Sequence, residues 1–262
     1  MSKIKIVEDL SKRWENSGLS LGDSFLLHSN IRRLLLEFKK KKLDINADLI
    51  IDSFLNVVGK NGTILIPFFN FDFPKTNYFS LENTASQMGA LSERFRVKYS
   101  QLRTGHPVYS FGVYGEKKEY FENIDNYSAY SEDSPFGVLK NLDGKIAILD
   151  LEDQNSMTFY HHIEELNNVN WRYFKKFKGV YVDKNGVKQE KEYSIFVRKI
   201  ELKIQTHVNP AGELLWKNKL YSGSEPFSGT GLRVIKMKPM FNFISDLIKK
   251  DKALGVLYKI EN

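Results

Sequence analysis

The 262-residue chain has no cysteine, which excludes disulfide frameworks, thiolate zinc sites and cysteine nucleophiles. Any nucleophile or base must then be His, Ser, Thr, Lys, Tyr or a carboxylate. Proline is scarce, at seven residues, and 42% of the chain is apolar against 27% charged, which rules out a disordered or fibrous chain. No window approaches the ~18 uninterrupted apolar residues of a membrane span. The stretch Met1 to Asp9 lacks the apolar core of a secretory signal. The expectation is a soluble, cytoplasmic protein with no membrane partner. Also missing are the Gly-x-x-x-x-Gly-Lys-Ser/Thr phosphate loop, the Gly-x-Ser-x-Gly elbow, the Gly-x-Gly-x-x-Gly fingerprint and the kinase motif set.

What is present is a basic surplus. Thirty-nine Lys and Arg stand against 32 Asp and Glu, a net charge of +7, which biases the surface toward phosphates and other anions. The cations come in short clusters, Lys39 to Lys42 and Lys175, Lys176 and Lys178, each of which also reads as an ordinary solvated face. A non-catalytic anion or nucleic-acid binder would explain the charge. No single element combines an aromatic and a basic platform, so a nucleic-acid partner is not expected.

Strand and helix periods alternate along the first two thirds of the chain. Ile6, Leu10 and Trp14 fall at helical spacing in a segment from Ile4 to Ser17, and Asp23 to His28 is a short apolar strand. Ile31, Leu34, Leu35 and Phe38 resume the helical period. Asp48 to Val58 reads as a helix stopped by Gly59, and Gly62 to Pro67 as a buried strand. Met88 to Lys98 reads as a helix, Val108 to Tyr114 and Lys145 to Leu151 as strands, and Thr158 to Leu166 as part of a helix. Beyond Trp171, Gly179 to Val182 and Val187 to Val197 form a hairpin around Asp183-Lys184-Asn185-Gly186. Ile200 to Leu220 is ambiguous, Leu232 to Met237 reads as a strand, and Met240 to Lys250 as a closing helix. These signals predict an α/β fold with a central mixed sheet flanked by helices and a more antiparallel C-terminal part. One domain over 1–262 is expected, with room for a subdomain at 171–262.

Three histidines sit in patterns that a core alone does not demand. His28 ends a buried strand in Leu26-Leu27-His28-Ser29-Asn30, where the carboxyl edge of an α/β sheet and the next helix can hold an anion. His106 lies in the turn Arg103-Thr104-Gly105-His106-Pro107, beside an arginine suited to phosphate. On a helix, Thr158, His161 and Glu164 fall three apart on one face, so the carboxylate can orient the imidazole as a general base. His162 and Glu165 repeat the spacing on the next stripe. Adjacent histidines are poorly spaced for one metal ion and nothing completes such a site, so no metal is expected. The dense glycine stretch Ser222 to Gly231 precedes a strand and reads as a connection or as a loop that closes over a ligand.

Taken in order, Leu26-Leu27-His28-Ser29, Gly62 to Phe69, Met88 to Arg96, Arg103 to Ser110, Ser134-Pro135-Phe136-Gly137 and Thr158-x-x-His161-x-x-Glu164 resemble the aminoglycoside 3-N-acetyltransferase family. The resemblance runs from about residue 20 to 166. It implies a fold unlike that of the common GNAT acetyltransferases, an acetyl-CoA or other acyl-CoA donor, and an amino sugar as acceptor. It also implies His161 as the catalytic base and Glu164 as the acid of the same motif. By the same resemblance, His28, Ser29, Asn30, Arg103, Thr104 and His106 match segments that line the family's acyl-CoA groove. Asn30 stands where a second serine is usual, Asn70 where threonine is usual, and Asp150-Leu151 near a usual glycine. The family's later acidic motif is not recognisable around Glu190 to Arg198, where Glu192 is the nearest candidate to pair with His161 instead of Glu164. Because the chain is basic, the expected acceptor is a nucleotide-linked amino sugar, as in surface-polysaccharide biosynthesis, with an aminoglycoside antibiotic as the alternative. The protein is expected to act as a monomer or homodimer.

Overall fold

A computed structural model describes residues 2–225 and 230–261. Helix α1 (Lys3–Asn16) leads to strand β1 (Ser24–Ser29), helices α2 (Arg32–Lys40) and α3 (Ala47–Val58), and strand β2 (Thr63–Pro67). Helix α4 (Phe73–Thr76) and strand β3 (Tyr78–Ser80) precede helix α5 (Ala90–Lys98) and strands β4 (Leu102–Arg103) and β5 (Phe111–Gly115). Helix α6 (Pro135–Asn141), strand β6 (Lys145–Leu149) and helix α7 (Phe159–Leu166) follow, then the hairpin of β7 (Arg172–Val182) and β8 (Lys188–Arg198). The chain continues through β9 (Ile204–Thr206), α8 (Asn209–Lys217), β10 (Tyr221–Gly223), β11 (Leu232–Lys236), α9 (Met237–Lys249) and β12 (Tyr258–Ile260).

Among the described residues the main sheet has seven strands in the order β10-β11-β6-β1-β2-β5-β4. Its centre, β6-β1-β2, is parallel, and the flanking strands are antiparallel. The mixed α/β sheet expected from the sequence is therefore present. Side chains alternate across it: Phe25 and Leu27 pack with α1 and α3 on one face, and Leu26 joins the core on the other. Ile6, Leu10 and Trp14 of α1 are buried as their spacing requires, and Trp14 stacks on Phe54 at 4.8 Å while its Nε1 donates to Ser53 Oγ at 2.7 Å. Helix α3 starts at Asn46, whose side chain accepts from Leu49 N, and ends at Gly59 with φ +65°.

The C-terminal third is built into both layers. Strand β11 lies antiparallel beside β6, and the β7–β8 hairpin extends β3 into a second, three-stranded sheet. Each hairpin strand has 11 residues; β8 has the length that the sequence pattern implies, while β7 begins seven residues earlier than Gly179, because Lys175, Lys176 and Lys178 interrupt the apolar alternation while remaining compatible with an exposed strand. The ambiguous stretch resolves into α8, with Pro210 in its first turn, where a missing N–H costs nothing. The motif Ser134-Pro135-Phe136-Gly137 opens α6: Pro135 occupies the first turn, and a Cβ at Gly137 would meet the Glu132 carbonyl oxygen at 1.9 Å. Within the glycine-rich stretch read as a connection or ligand-closing loop, residues 226–229 lie outside the described residues.

Candidate active site

Parallel strands β6 and β1 end side by side, with His28 opposite Ile148 and Ser29 opposite Leu149. Past that edge the chain turns through Asp150, at φ +53°, and a short 3-10 turn at Asp153–Asn155 before entering α7. This sequence of turns places His161 and the end of β1 on the carboxyl side of the sheet, the side where α/β folds bind ligands.

On α7, His161 Nδ1 lies 2.8 Å from Glu164 Oε2. Glu164 is 1% exposed, and two residues beyond the helix complete its surroundings. Trp171 Nε1 donates to Oε1 at 2.8 Å, and Arg172 Nε sits 2.7 Å from Oε2. The Arg172 contact is a charge pair and not an aligned hydrogen bond, since Nε has no hydrogen-bond partner of good geometry. Burial pushes the Glu164 carboxyl up, but Arg172, His161 and Trp171 outweigh it, so the group stays below its usual range and ionised. Burial, reinforced by Arg172, lowers His161 despite the Glu164 bond. The imidazole is thus neutral at pH 7. An ionised carboxylate can only accept, so Nδ1 carries the proton and Nε2 presents its lone pair. The Tyr130 ring, 5.3 Å from the imidazole, and Tyr109, 4.9 Å from Tyr130, wall this position.

A cleft of about 740 Å³ opens at the end of β1, lined by His28, Ser29, Asn30 and Arg32 and by Met88 and Gly89 before α5. Asn30 Oδ1 accepts from Arg32 N at 3.1 Å, which fixes the start of α2 on the cleft wall. His28 is buried, held down to about 3 by that burial, and its Nε2 has no partner among the described residues. Three of the residues expected to meet an acyl-CoA therefore share one cleft.

The other three lie elsewhere. Arg103 Nε donates to Ser110 Oγ at 3.0 Å, Nη1 to the carbonyls of Leu81 and Thr84, and Nη2 to that of Phe68, with the guanidinium 4.9 Å from the Phe79 ring centre. Thr104 Oγ1 accepts from Phe111 N, and His106 Nδ1 accepts from Tyr109 N at 3.1 Å while Nε2 faces Ser194 O at 3.3 Å. These atoms are spent on bracing the 103–111 turn, His106 against β8 and Arg103 against the carbonyls of Phe68, Leu81 and Thr84. That bracing delays β5 until Phe111, where the sequence pattern starts a strand at Val108. Glu192 is engaged elsewhere: Tyr127 Oη donates to it at 2.8 Å, and Lys176 and Lys178 lie 3.3 and 3.7 Å from it. Glu164, and not Glu192, is the partner of His161. His162 Nδ1 donates to Tyr130 O at 2.7 Å, and Glu165 Oε2 accepts from Ser128 Oγ at 2.8 Å, so the second stripe of α7 is also structural. Trp171, Arg172, Tyr130 and Tyr109 were not foreseen. Only the place of Trp171-Arg172 just after the helix hinted at contact.

The family model of aminoglycoside 3-N-acetyltransferase matches residues 26–249. The chain belongs to the aminoglycoside 3-N-acetyltransferase family. This family comprises acetyl-CoA-dependent N-acetyltransferases. Its solved structures share the fold. AAC-IIIb in binary complex with CoASH superposes with a TM-score of 0.76 at 18% identity, covering 94% of this chain and 96% of that one. Aminoglycoside acetyltransferase AAC(3)-Xa gives 0.76 at 16% identity over 95% and 93%, and the YokD protein from Bacillus subtilis 0.75 at 18% over 94% and 94%. No curated protein matches the chain in sequence. An acyl-CoA is the co-substrate of the family, and no group of three metal-ligating side chains occurs among the described residues. Nor is any described helix long and apolar enough to cross a membrane.

Proposed function

We propose that the protein transfers an acetyl or other short acyl group from acyl-CoA directly to the amine of a nucleotide-linked amino sugar. His161 is the general base, Glu164 orients it, and His28, Ser29 and Asn30 hold the acyl-CoA in the cleft at the end of β1. The amine first loses a proton from its ammonium form to solvent. As its nitrogen attacks the thioester carbonyl, His161 Nε2 takes a second proton, and the resulting imidazolium returns it to the sulfur as the C–S bond breaks. Glu164, already holding Nδ1–H, stabilises the imidazolium in between.

One observation carries the acceptor: the site's surroundings are cationic. Arg172 and Arg198 both bear electrostatically on His161, and the two residues pair across the β7–β8 ladder. The hairpin from Arg172 to Arg198 holds eight Lys and Arg against three Asp and Glu, a surplus of five. Such a surplus disfavours a polycation and favours a diphosphate. The second reading, an aminoglycoside acceptor, is favoured by relatives such as AAC-VIa, solved bound to sisomicin.

The test is free-thiol release from acetyl-CoA with two acceptor panels, amino-sugar nucleotides and aminoglycosides, with His161→Ala as the blank. Release with the nucleotides alone is the expected result. Release with aminoglycosides alone overturns the acceptor, and unchanged release by His161→Ala overturns the base.

A further inference from the structure

We infer that Arg172 is a positioning residue that keeps the His161–Glu164 pair poised as a base by cancelling the carboxylate's charge. The inference rests on His161 acting as the general base. A buried imidazole beside an uncompensated carboxylate is drawn toward imidazolium, which cannot accept a proton. Here Glu164 Oε2 is shared: His161 Nδ1 approaches it at 2.8 Å and Arg172 Nε at 2.7 Å. With the guanidinium in place, the three groups sum to zero charge when the imidazole is neutral and to +1 when it is protonated. The neutral form is therefore the favoured one beside a buried Glu164–Arg172 pair.

The geometry holds Arg172 there by more than the ion pair. Its Nη1 donates to Phe196 O at 3.0 Å and its Nη2 to Thr206 Oγ1 at 3.3 Å, tying the side chain to β8 and β9, and it is 7% exposed. The groups that face His161 are Glu164 on its own helix, Arg172 from β7, Arg198 from β8, and the Tyr130 ring. Tyr109 lies against Tyr130, and burial raises both phenols, so neither supplies a charge. Glu164 is the lone anion in this set, and Arg172 is the cation in contact with it.

The two neighbours of His161 should act on it in opposite directions. Removing Arg172 should raise the imidazole's proton affinity, and removing Glu164's charge should lower it. The experiment is the pH dependence of kcat/KM by thiol release, using the acceptor that the wild-type enzyme turns over. In Arg172→Met the acidic limb should move up by about one pH unit. It should return toward the wild-type position in Arg172→Lys and move down in Glu164→Gln. A limb that stays in place or moves down in Arg172→Met overturns the inference, even where turnover falls. NMR titration of the His161 ring in the wild-type protein needs no variant: a ring still neutral at pH 6 supports the inference, and one protonated at pH 7 overturns it. Failure of the base itself is distinguished by His161→Ala, which would then retain turnover.

Discussion

Two histidines with equally suggestive sequence surroundings, His161 and His106, end in opposite circumstances. His106 is 0% exposed, and both its ring nitrogens face backbone groups of the 106–109 turn and of β8. His161 uses one nitrogen on Glu164 and, among the described residues, keeps the other free at a partly exposed position. Burial lowers both. A neutral imidazole is therefore not what separates a base from a brace. The lone pair of the second nitrogen, spent in one case and available in the other, makes the difference.

The comparison breaks most sharply by truncating each ring. His161→Ala should lose turnover by roughly 10²–10⁴-fold, the usual contribution of a general base, with an unchanged melting temperature. His106→Ala should retain turnover per folded molecule but lose about 2–4 kcal/mol in denaturant unfolding, since two amides and a carbonyl lose their partner. The reverse pattern would reassign the roles. Arg103→Met sharpens the same point for the turn. With its guanidinium tied to three carbonyls and a hydroxyl, its loss should cost a similar few kcal/mol while CoA affinity, read by calorimetry on folded protein, stays put. A tenfold weaker CoA affinity would return Arg103 to the cleft.

Acid exposes what the buried rings share. His28 is held at about 3 and His106 and His162 at about 4, chiefly by burial, against 6.5 for the free side chain. The unfolded chain thus binds protons that the folded chain refuses. Stability from these groups is complete above about pH 6.5 and is lost as pH falls toward 4. Among these four groups Glu165, raised to about 7 by burial, works in reverse and gains stability as pH drops, one against three. The net loss should be on the order of 3 kcal/mol between pH 6.5 and 5, seen as a falling denaturation midpoint. A flat profile would mean that the rings are not held neutral. The smallest effect belongs to Glu192→Gln: an exposed carboxylate among Tyr127, Lys176 and Lys178 should change kcat/KM by less than about twofold.

Much of this was legible in the chain. Trp14, Gly59, the 62–67 strand and the His161–Glu164 spacing announced local structure because helix and strand periods, caps and i,i+3 contacts are settled within a few residues. The strand that ends at His28 foretold the sheet edge on which the cleft opens, for the same reason. Long-range matters were not legible. Whether Arg103 meets a phosphate or four internal acceptors depends on where Leu81, Thr84, Phe68 and Ser110 come to rest, and no spacing encodes that.

By itself, the sequence determined the alternation of strands and helices, the exclusion of thiol chemistry and the placing of an imidazole and a carboxylate three apart on one helix face. Tertiary structure alone decided which histidine keeps a free nitrogen, which arginine touches Glu164 and where Glu192 points. The physical reason is that hydrogen-bond satisfaction and burial are properties of neighbours brought from distant parts of the chain, and they set the charge and reach of each polar group.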